Sequence, residues 1–463
     1  MWGFSVSAAT LLLAIASALV ALRAIRTART PQGAVGWVVF IFALPVLAIP
    51  VYFVFGNVDH VRYVRERRVS EASAGRKDKA DAASQGRLAV FERLSQTSAR
   101  QGNHVELLID GRETYDAIFG AIDAAQDYLL VQFYIIRNDE IGQRLKDALI
   151  AKARDGIEVY LLHNSIVGLG LPRRFLNELR EGGVHLNPMQ GPKRLLGRLQ
   201  LNYRNHRKLV LRDGVIAFTG GLNIGVEHLG RDRKLGDWRD THVQVSGPSV
   251  SQLQGDFVAD WFWSSGERIG DRLVWDAPDH PADMRGLVMS PAPTDVLETG
   301  NLYFGAMAAL AKKRLWIATP YFVPDFDVLS ALKLAALRGV EVRILVPDIA
   351  DHYLPWLAAY AYFDEIATSG GEIWRYQAGF MHQKVVLVDN DVTSVGTINL
   401  DIRSGLLNFE QTVIIEDRRA AAEVEAMLAA DFEKSVRLDK GLHQQALWLR
   451  IGAPAARLLA PLL

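Results

Sequence analysis

The sequence predicts a duplicated α/β protein behind an N-terminal pair of membrane-length apolar segments. Three observations predict it: two charge-free apolar stretches within the first 56 residues, an order of strand and helix patterns that occurs twice afterwards, and the pattern HxKxxxxD at the matching place in each copy. At 463 residues the chain is longer than the ~300 that one core commonly holds, so two similar lobes are expected. Lysine plus arginine balance aspartate plus glutamate at 52 each, which excludes the overall basic field that draws a protein onto nucleic acid. There is no cysteine, so disulfides, thiolate metal sites and cysteine nucleophiles are excluded.

Residues 1–56 read as a transmembrane hairpin. Trp2 to Leu22 and Gly33 to Phe55 carry no charge, and each is long enough to cross a ~30 Å hydrocarbon layer as a helix. A cleaved signal peptide would place positive charge before the apolar run, which this N-terminus does not. The loop between them holds Arg23, Arg26 and Arg29, whereas Arg62, Arg65, Arg67, Arg68, Arg76 and Lys77 follow the second stretch; that excess favours a cytoplasmic N-terminus and a cytoplasmic C-terminal part. The same arginines could instead form a solvated face or touch anionic headgroups. Residues 57–103, charged and poor in aromatics, read as a juxtamembrane helix or linker rather than core.

Residues 104–265 form the first predicted domain. The stretch "LLIDGRETYDAIFGAIDAAQDYLLVQFYII" reads as strand, helix and strand, and a helix through "GQRLKDALIAKARDG" leads into the strand "IEVYLLH". The order returns in residues 299–435: "AKKRLWIATPYFVPD" parallels "AAQDYLLVQFYIIRND", "LKLAALRGVEVRILVPD" parallels "LIAKARDGIEVYLLHN", and "SGGEIWRY" parallels "EGGVHLNPM". Residues 266–298, rich in proline, glycine and charge, read as the connection between the lobes. A short apolar tail, 436–463, ends the chain. The copies are expected to face one another about a pseudo-two-fold axis.

Each copy then reaches its motif: His206, Lys208 and Asp213 in "NHRKLVLRDG", and His382, Lys384 and Asp389 in "MHQKVVLVDN". One occurrence is a weak signal; two in register with a repeat are not. Asn223 lies 17 residues after His206 and Asn399 lies 17 after His382, and the alignment of "WRDTHVQVSG" with "NFEQTVIIED" sets Asp240 opposite Glu410. Side chains two apart on a strand share a face, so each histidine is expected beside its lysine. One segment breaks the symmetry. The first copy carries an extra "GPKRLLGRLQLN" before its histidine, where Lys193, Arg194 and Arg198 interleave with leucines, as in a segment resting on a membrane surface or in a surface loop with buried leucines.

Two imidazoles, two ammonium groups, two amides and two carboxylates around one point suit a phosphodiester. Lys208, Lys384, Asn223 and Asn399 would donate to the non-bridging oxygens in the five-coordinate transition state. One neutral histidine would attack phosphorus, and the other, protonated, would donate to the departing alkoxide and later deprotonate the incoming alcohol. Asp240 and Glu410 would each orient one imidazole. The six motif residues form the candidate catalytic set, within which Asp213 and Asp389 sit in turn sequences that suit turn-forming or salt-bridging roles. His228 and His242 are candidates for substrate contact, whereas His104, His163, His185, His280 and His352 read as structural. No carboxylate stands at the spacing of a zinc site and no phosphate-binding glycine loop is evident, so neither metal nor cofactor is expected.

At these residues the chain resembles the phospholipase D superfamily, known for its doubled HKD motif, and more narrowly the bacterial cardiolipin synthases. The narrower resemblance spans nearly the whole chain, through "PVYFVFGN", "NYRNHRKLVLRDG", "AFTGGLNIGVEHLG", "WRDTH", "ATPYFVPD", "MHQKVVLVD", "VGTINLDIRS", "NFE" and "RLLAPLL". It departs at Asn164, where such enzymes more often carry aspartate, which bears on acceptor or lipid preference. The resemblance implies phospholipase D-like domains with a mixed sheet flanked by helices, a bacterial inner-membrane location, and transfer of a phosphatidyl group between two phosphatidylglycerol molecules without a cofactor. It makes His206 the nucleophile and His382 the acid/base. The alternatives are a phospholipase D using water as acceptor, a phosphatidylserine synthase, a nuclease, which the neutral charge and the hairpin count against, and a non-catalytic lipid-binding scaffold, which would be expected to have lost part of its histidine and lysine pairs.

Overall fold

The computed structural model describes residues 2–28, 31–56, 60–73, 86–165, 170–189 and 203–460. The extra segment of the first copy, 191–202, lies outside the described residues. Lobe 1 contributes strands β1 (Arg100–Ile109), β2 (Tyr128–Phe133), β3 (Glu158–His163), β4 (His185–Pro188), β5 (Leu209–Arg212), β6 (Ile216–Gly220) and β7 (Thr241–Ser246). Lobe 2 contributes β8 (Met284–Met289), β9 (Arg314–Ala318), β10 (Glu341–Pro347), β11 (Glu372–Tyr376), β12 (Val385–Val388), β13 (Val392–Gly396) and β14 (Thr412–Glu416), with β15 (Ser435–Arg437) added at its edge.

The duplication is visible in the topology. Across the sheet the order is β4-β3-β2-β5-β6-β7-β1, then over a β1–β8 seam β8-β14-β13-β12-β9-β10-β11-β15, so each strand of lobe 1 mirrors the strand seven later. In lobe 1 β4, β3 and β2 run parallel, in lobe 2 the corresponding β11, β10 and β9 do, and the other neighbours are antiparallel, a mixed sheet. The predicted inter-lobe connection therefore contains β8, the first strand of lobe 2. Its apolar run Leu287–Met289 is buried and pairs with β14, which outweighs the surrounding proline and charge.

Alternation along the strands divides the interior into layers. In β2, Tyr128 and Leu130 join a core shared by both lobes, while Leu129, Val131 and Phe133 face the outer helices of lobe 1. In β12, Val385 and Leu387 face the shared core, and Val386 and Val388 face the outer layer of lobe 2. This is the period-2 geometry of a strand buried on both faces, and it explains why these segments read as unbroken apolar runs. The shared core is completed by Phe257 and Trp261 on the helix Ser249–Ser265 and by Leu428 and Phe432 on the helix Arg418–Glu433. The lobes are thus one packed body joined through a common interior.

At the N-terminus, α1 (Trp2–Thr27) includes a 20-residue stretch, Ala8–Thr27, long and apolar enough to cross a membrane. The second apolar segment is not one continuous helix. It forms α2 (Pro31–Ala43) and α3 (Pro45–Phe55), broken at Leu44, whose φ of −139° and ψ of 62° are not helical. Pro45 accounts for the break, since it lacks an N–H and disfavours helical backbone at the residue before it. Both pieces pack beside α1, through Ile41, Ala48 and Tyr52 against Val20, Ala21 and Ala24.

The stretch 57–103 is more structured than its charge suggests. Within it α4 (His60–Ser73) docks on lobe 1 through Arg67, which is 2% exposed, ion-paired with Asp260 and placed over the rings of Phe409 and Trp263. The next helix, α5 (Ala89–Ser95), buries Phe91 in the lobe 2 core. An arginine therefore anchors this segment where a core residue would normally do so, and Arg67 belongs to neither a solvated face nor a lipid contact.

Candidate active site

Two short seams between the lobes set the positions of the histidines. Arg204–Asn205 pairs in parallel with Asn408–Phe409 of lobe 2, and the His206 N–H donates to the Phe409 carbonyl at 2.9 Å. This brings Glu410 to His206, with Nδ1 2.9 Å from Oε2. The arrangement is repeated with the lobes exchanged. Phe380–Met381 pairs with Trp238–Arg239, the His382 N–H donates to the Arg239 carbonyl at 2.8 Å, and its Nδ1 lies 2.8 Å from Asp240 Oδ2. Each imidazole is held by a carboxylate from the opposite lobe. The HxK residues precede β5 and β12 rather than lying within them, because these cross-lobe seams take over where the strands begin.

Both carboxylates are fully buried and multiply bonded. Glu410 also accepts from Asn408 Nδ2 at 3.0 Å and from Thr397 Oγ1, and Asp240 accepts from the Thr241 N–H at 2.8 Å. Carboxylates fixed in this way select the tautomer with the proton on Nδ1, leaving Nε2 of each ring for chemistry. Gly221 has no room for a side chain here, since a Cβ would stand 1.9 Å from Asp240 Oδ1.

The lysines lie beside their histidines as the spacing predicts. Lys208 Nζ donates to the His206 carbonyl at 2.8 Å, and Lys384 Nζ donates to that of His382 at 2.5 Å. Burial pushes Lys208 down to about 7 and Lys384 down to about 8, and the positive charge of Lys384 adds to the effect on Lys208. Burial also lowers His206, outweighing Glu410, and lowers His382 much further, with Lys384, Lys208 and His206 all acting in the same direction. Glu410 is raised by burial, but His206, Lys208 and Thr397 outweigh this and hold it low. Four cationic or potentially cationic groups thus share a desolvated space with two carboxylates, a site poised for an anion.

The motif aspartates stand elsewhere. Asp213, in the left-handed region at φ 53°, accepts from the N–H groups of Gln126, Asp127 and Tyr128 at the start of β2. Asp389, at φ 54°, does the same for Lys312, Lys313 and Arg314 before β9, and pairs with Arg87. They close turns at the far ends of β5 and β12, so their place in the candidate set is structural. Asn223 and Asn399 are both buried; the amide oxygen of Asn223 accepts from the Ile135 N–H at 3.1 Å, so its amide nitrogen is the group it can offer a ligand.

The remaining histidines divide differently from expectation. His242 is fully buried and takes the Leu222 N–H on Nδ1, and His228 is buried edge-on to Trp238 at 4.6 Å; burial pushes both down to about 3. His352, expected to be structural, is exposed and approaches the site through Asp351 and Tyr321. It pairs with Asp351 at 2.8 Å, Asp351 accepts from the Tyr321 hydroxyl at 2.5 Å, and the Tyr321 ring is 6.5 Å from that of His382.

The description "Cardiolipin synthase, PLD-like domain" fits residues 118–261 and 306–432, one segment in each lobe, and "Phospholipase_D-nuclease N-terminal" fits residues 12–57. A Pseudomonas putida (strain GB-1) protein named cardiolipin synthase A is 40% identical over 455 residues, 93% of each chain. This chain belongs to the cardiolipin synthase family. A cardiolipin synthase A of Pseudomonas aeruginosa (strain LESB58) is 39% identical over 450 residues, covering 93% of this chain and 91% of that one. In fold it is similar to the crystal structure of a phosphatidylserine synthase from Haemophilus influenzae Rd KW20, with TM-score 0.60 and 16% identity over 78% of this chain and 95% of that one.

In this family member the histidines rest on a second layer that sequence reasoning missed. Arg207 pairs with Asp260 at 3.1 Å and donates to the Glu410 carbonyl at 3.0 Å, whereas Arg239 pairs with Asp431 at 2.8 Å and donates to the Asp240 carbonyl at 2.6 Å. Asp260 and Asp431 occupy matching places on the last helix of each repeat, which was the available signal. Tyr134 and Tyr321 are a second matched pair, with the Tyr134 ring edge-on to His206 at 4.9 Å.

Proposed function

We propose that this chain is a membrane-bound cardiolipin synthase, moving a phosphatidyl group from one phosphatidylglycerol to another and releasing glycerol. The observation that carries the reading is the reciprocal pair of imidazoles, each oriented by the other lobe's carboxylate. Nε2 of His206 attacks phosphorus while His382 gives its proton to the departing glycerol oxygen, leaving a phosphohistidine. The hydroxyl of a second phosphatidylglycerol then gives its proton to His382 and attacks phosphorus, breaking the P–N bond. One phosphodiester replaces another, so no nucleotide is needed. The roles follow the resemblance to this family, in which the histidine of the first copy attacks phosphorus and that of the second carries the proton. Lys208, Lys384, Asn223 and Asn399 stabilise the charge on the non-bridging oxygens.

In this reading α1 and the bent α2–α3 unit form a two-pass anchor, with the lobes in the cytoplasm on the side of the arginine-rich segment after α3. The test is to incubate the detergent-solubilised protein with phosphatidylglycerol alone and identify the products by mass. Cardiolipin and glycerol are expected. Phosphatidic acid as the main product would replace the synthase with a hydrolase.

A further inference from the structure

The C-terminal helix α7 (Leu447–Arg457) is apolar on two sides, and among the described residues only one of them is covered. Leu449, Ala453 and Ala456 pack in the lobe 2 core beside α6 (Tyr353–Thr368). Leu447, Trp448, Ile451 and, just past the helix end, Leu458 are 67, 58, 65 and 81% exposed. At 3.6 residues per turn these four project within an arc of about 100°, a continuous apolar strip rather than scattered side chains. Such a strip marks an interaction surface.

Three facts indicate what covers it. From Ala446 to Leu463 the sequence holds Arg450 and Arg457 and no acid; Arg457 pairs with Glu365 at 3.1 Å, so the exposed Arg450 is the charge that fits anionic headgroups. The strip also leads to the phosphate site: Trp448 stacks on Trp356 at 6.2 Å, the first turn of α6 exposes Tyr353 and Leu354, and Asp351 and His352 just before it face Tyr321 and hence His382. Finally, α1 supplies a helix of membrane-spanning length on the same chain.

We propose that α7 lies in the headgroup–acyl boundary of the bilayer with Leu447, Trp448, Ile451 and Leu458 inserted. This seats the mouth of the site on the membrane, so that a lipid headgroup reaches His206 and His382 while its acyl chains stay in the bilayer. The proposal rests on the reading of the substrate as a membrane phosphodiester.

The chain has no cysteine, so a single introduced one can carry a label. Full-length Ile451→Cys and, as a control, Asp147→Cys, whose native side chain is 72% exposed on lobe 1, are each coupled to an environment-sensitive fluorophore and reconstituted in phosphatidylglycerol vesicles. The label at 451 is expected to emit blue-shifted and to be quenched by nitroxide-bearing lipid, and the label at 147 to do neither. A label at 451 as aqueous as the control overturns the proposal. So does one shielded from water but untouched by nitroxide lipid, the result expected if a second copy of the chain covers the strip. Leu447→Glu/Ile451→Glu should convert phosphatidylglycerol normally in detergent micelles but lose turnover on vesicles; equal loss in both media also overturns the proposal. If the unaltered protein converts no phosphatidylglycerol in micelles, the synthase reading fails, and quenching still decides where α7 lies.

Discussion

At the scale of single residues, the site depends on protons being held where bulk water would place them otherwise. Lys208, pushed down to about 7, and Lys384, pushed down to about 8, are cations below those values and neutral above them. An anionic phosphodiester binds the cationic forms, so affinity should weaken as pH rises through 7 to 8. His206 is held below its ordinary value and must be neutral to attack, so activity should also fall as pH drops through its lowered pKa. An alkaline limb near 7 to 8, set by the lysines, is therefore expected in substrate affinity, measured with a non-reacting phosphodiester, while turnover falls at low pH as His206 is protonated. Lys208→Arg tests the assignment, because guanidinium stays charged over this range. Whatever its absolute affinity, the variant's alkaline limb should move towards the value of Lys384, about 8. An unmoved limb would assign it to another group.

At the scale of elements, α4 shows how a charged segment becomes part of the core. Arg67 is inserted between Asp260 and the rings of Phe409 and Trp263, and Asp260 in turn holds Arg207, which donates to the Glu410 carbonyl. Removing one partner of a buried pair costs about 3 kcal/mol or more. Arg67→Ala should lower stability by about that amount in thermal or urea unfolding of the solubilised protein, and Arg67→Lys should recover only part of it, since ammonium does not stack as guanidinium does. An unchanged unfolding midpoint would show that α4 is not anchored by this residue. Sequence could not reveal the anchor, because Arg67 lies in a run of arginines with no apolar stripe and its partner is 193 residues away. The strands and helices of each repeat were legible, since alternating and 3.6-residue patterns record which face is buried. The break at Leu44 was less so, because hydropathy counts Pro45 among apolar neighbours while the backbone responds to its missing N–H.

At the scale of the whole molecule, the duplication builds one site rather than two. The doubled motif made the histidines, lysines and carboxylates legible, but periodicity could not tell which carboxylate serves which histidine. The natural guess pairs residues within one lobe, whereas the seams Arg204–Asn205 with Asn408–Phe409 and Trp238–Arg239 with Phe380–Met381 cross them over. Neither lobe holds an oriented imidazole by itself, and the shared interior means that neither buries its inner sheet face alone. His206→Ala and His382→Ala should therefore each abolish turnover with the fold intact, as judged by circular dichroism and unfolding midpoint. Because both imidazoles of a working site come from one chain, co-reconstituting the two variants in the same vesicles should restore nothing, since every site still lacks one ring. If exchange of lobes between chains generated complete sites, up to about a quarter of them would regain both rings by random pairing. Recovery of cardiolipin formation on that scale would move the site to an interface between chains, while continued silence of the mixture places the whole of the chemistry within a single polypeptide.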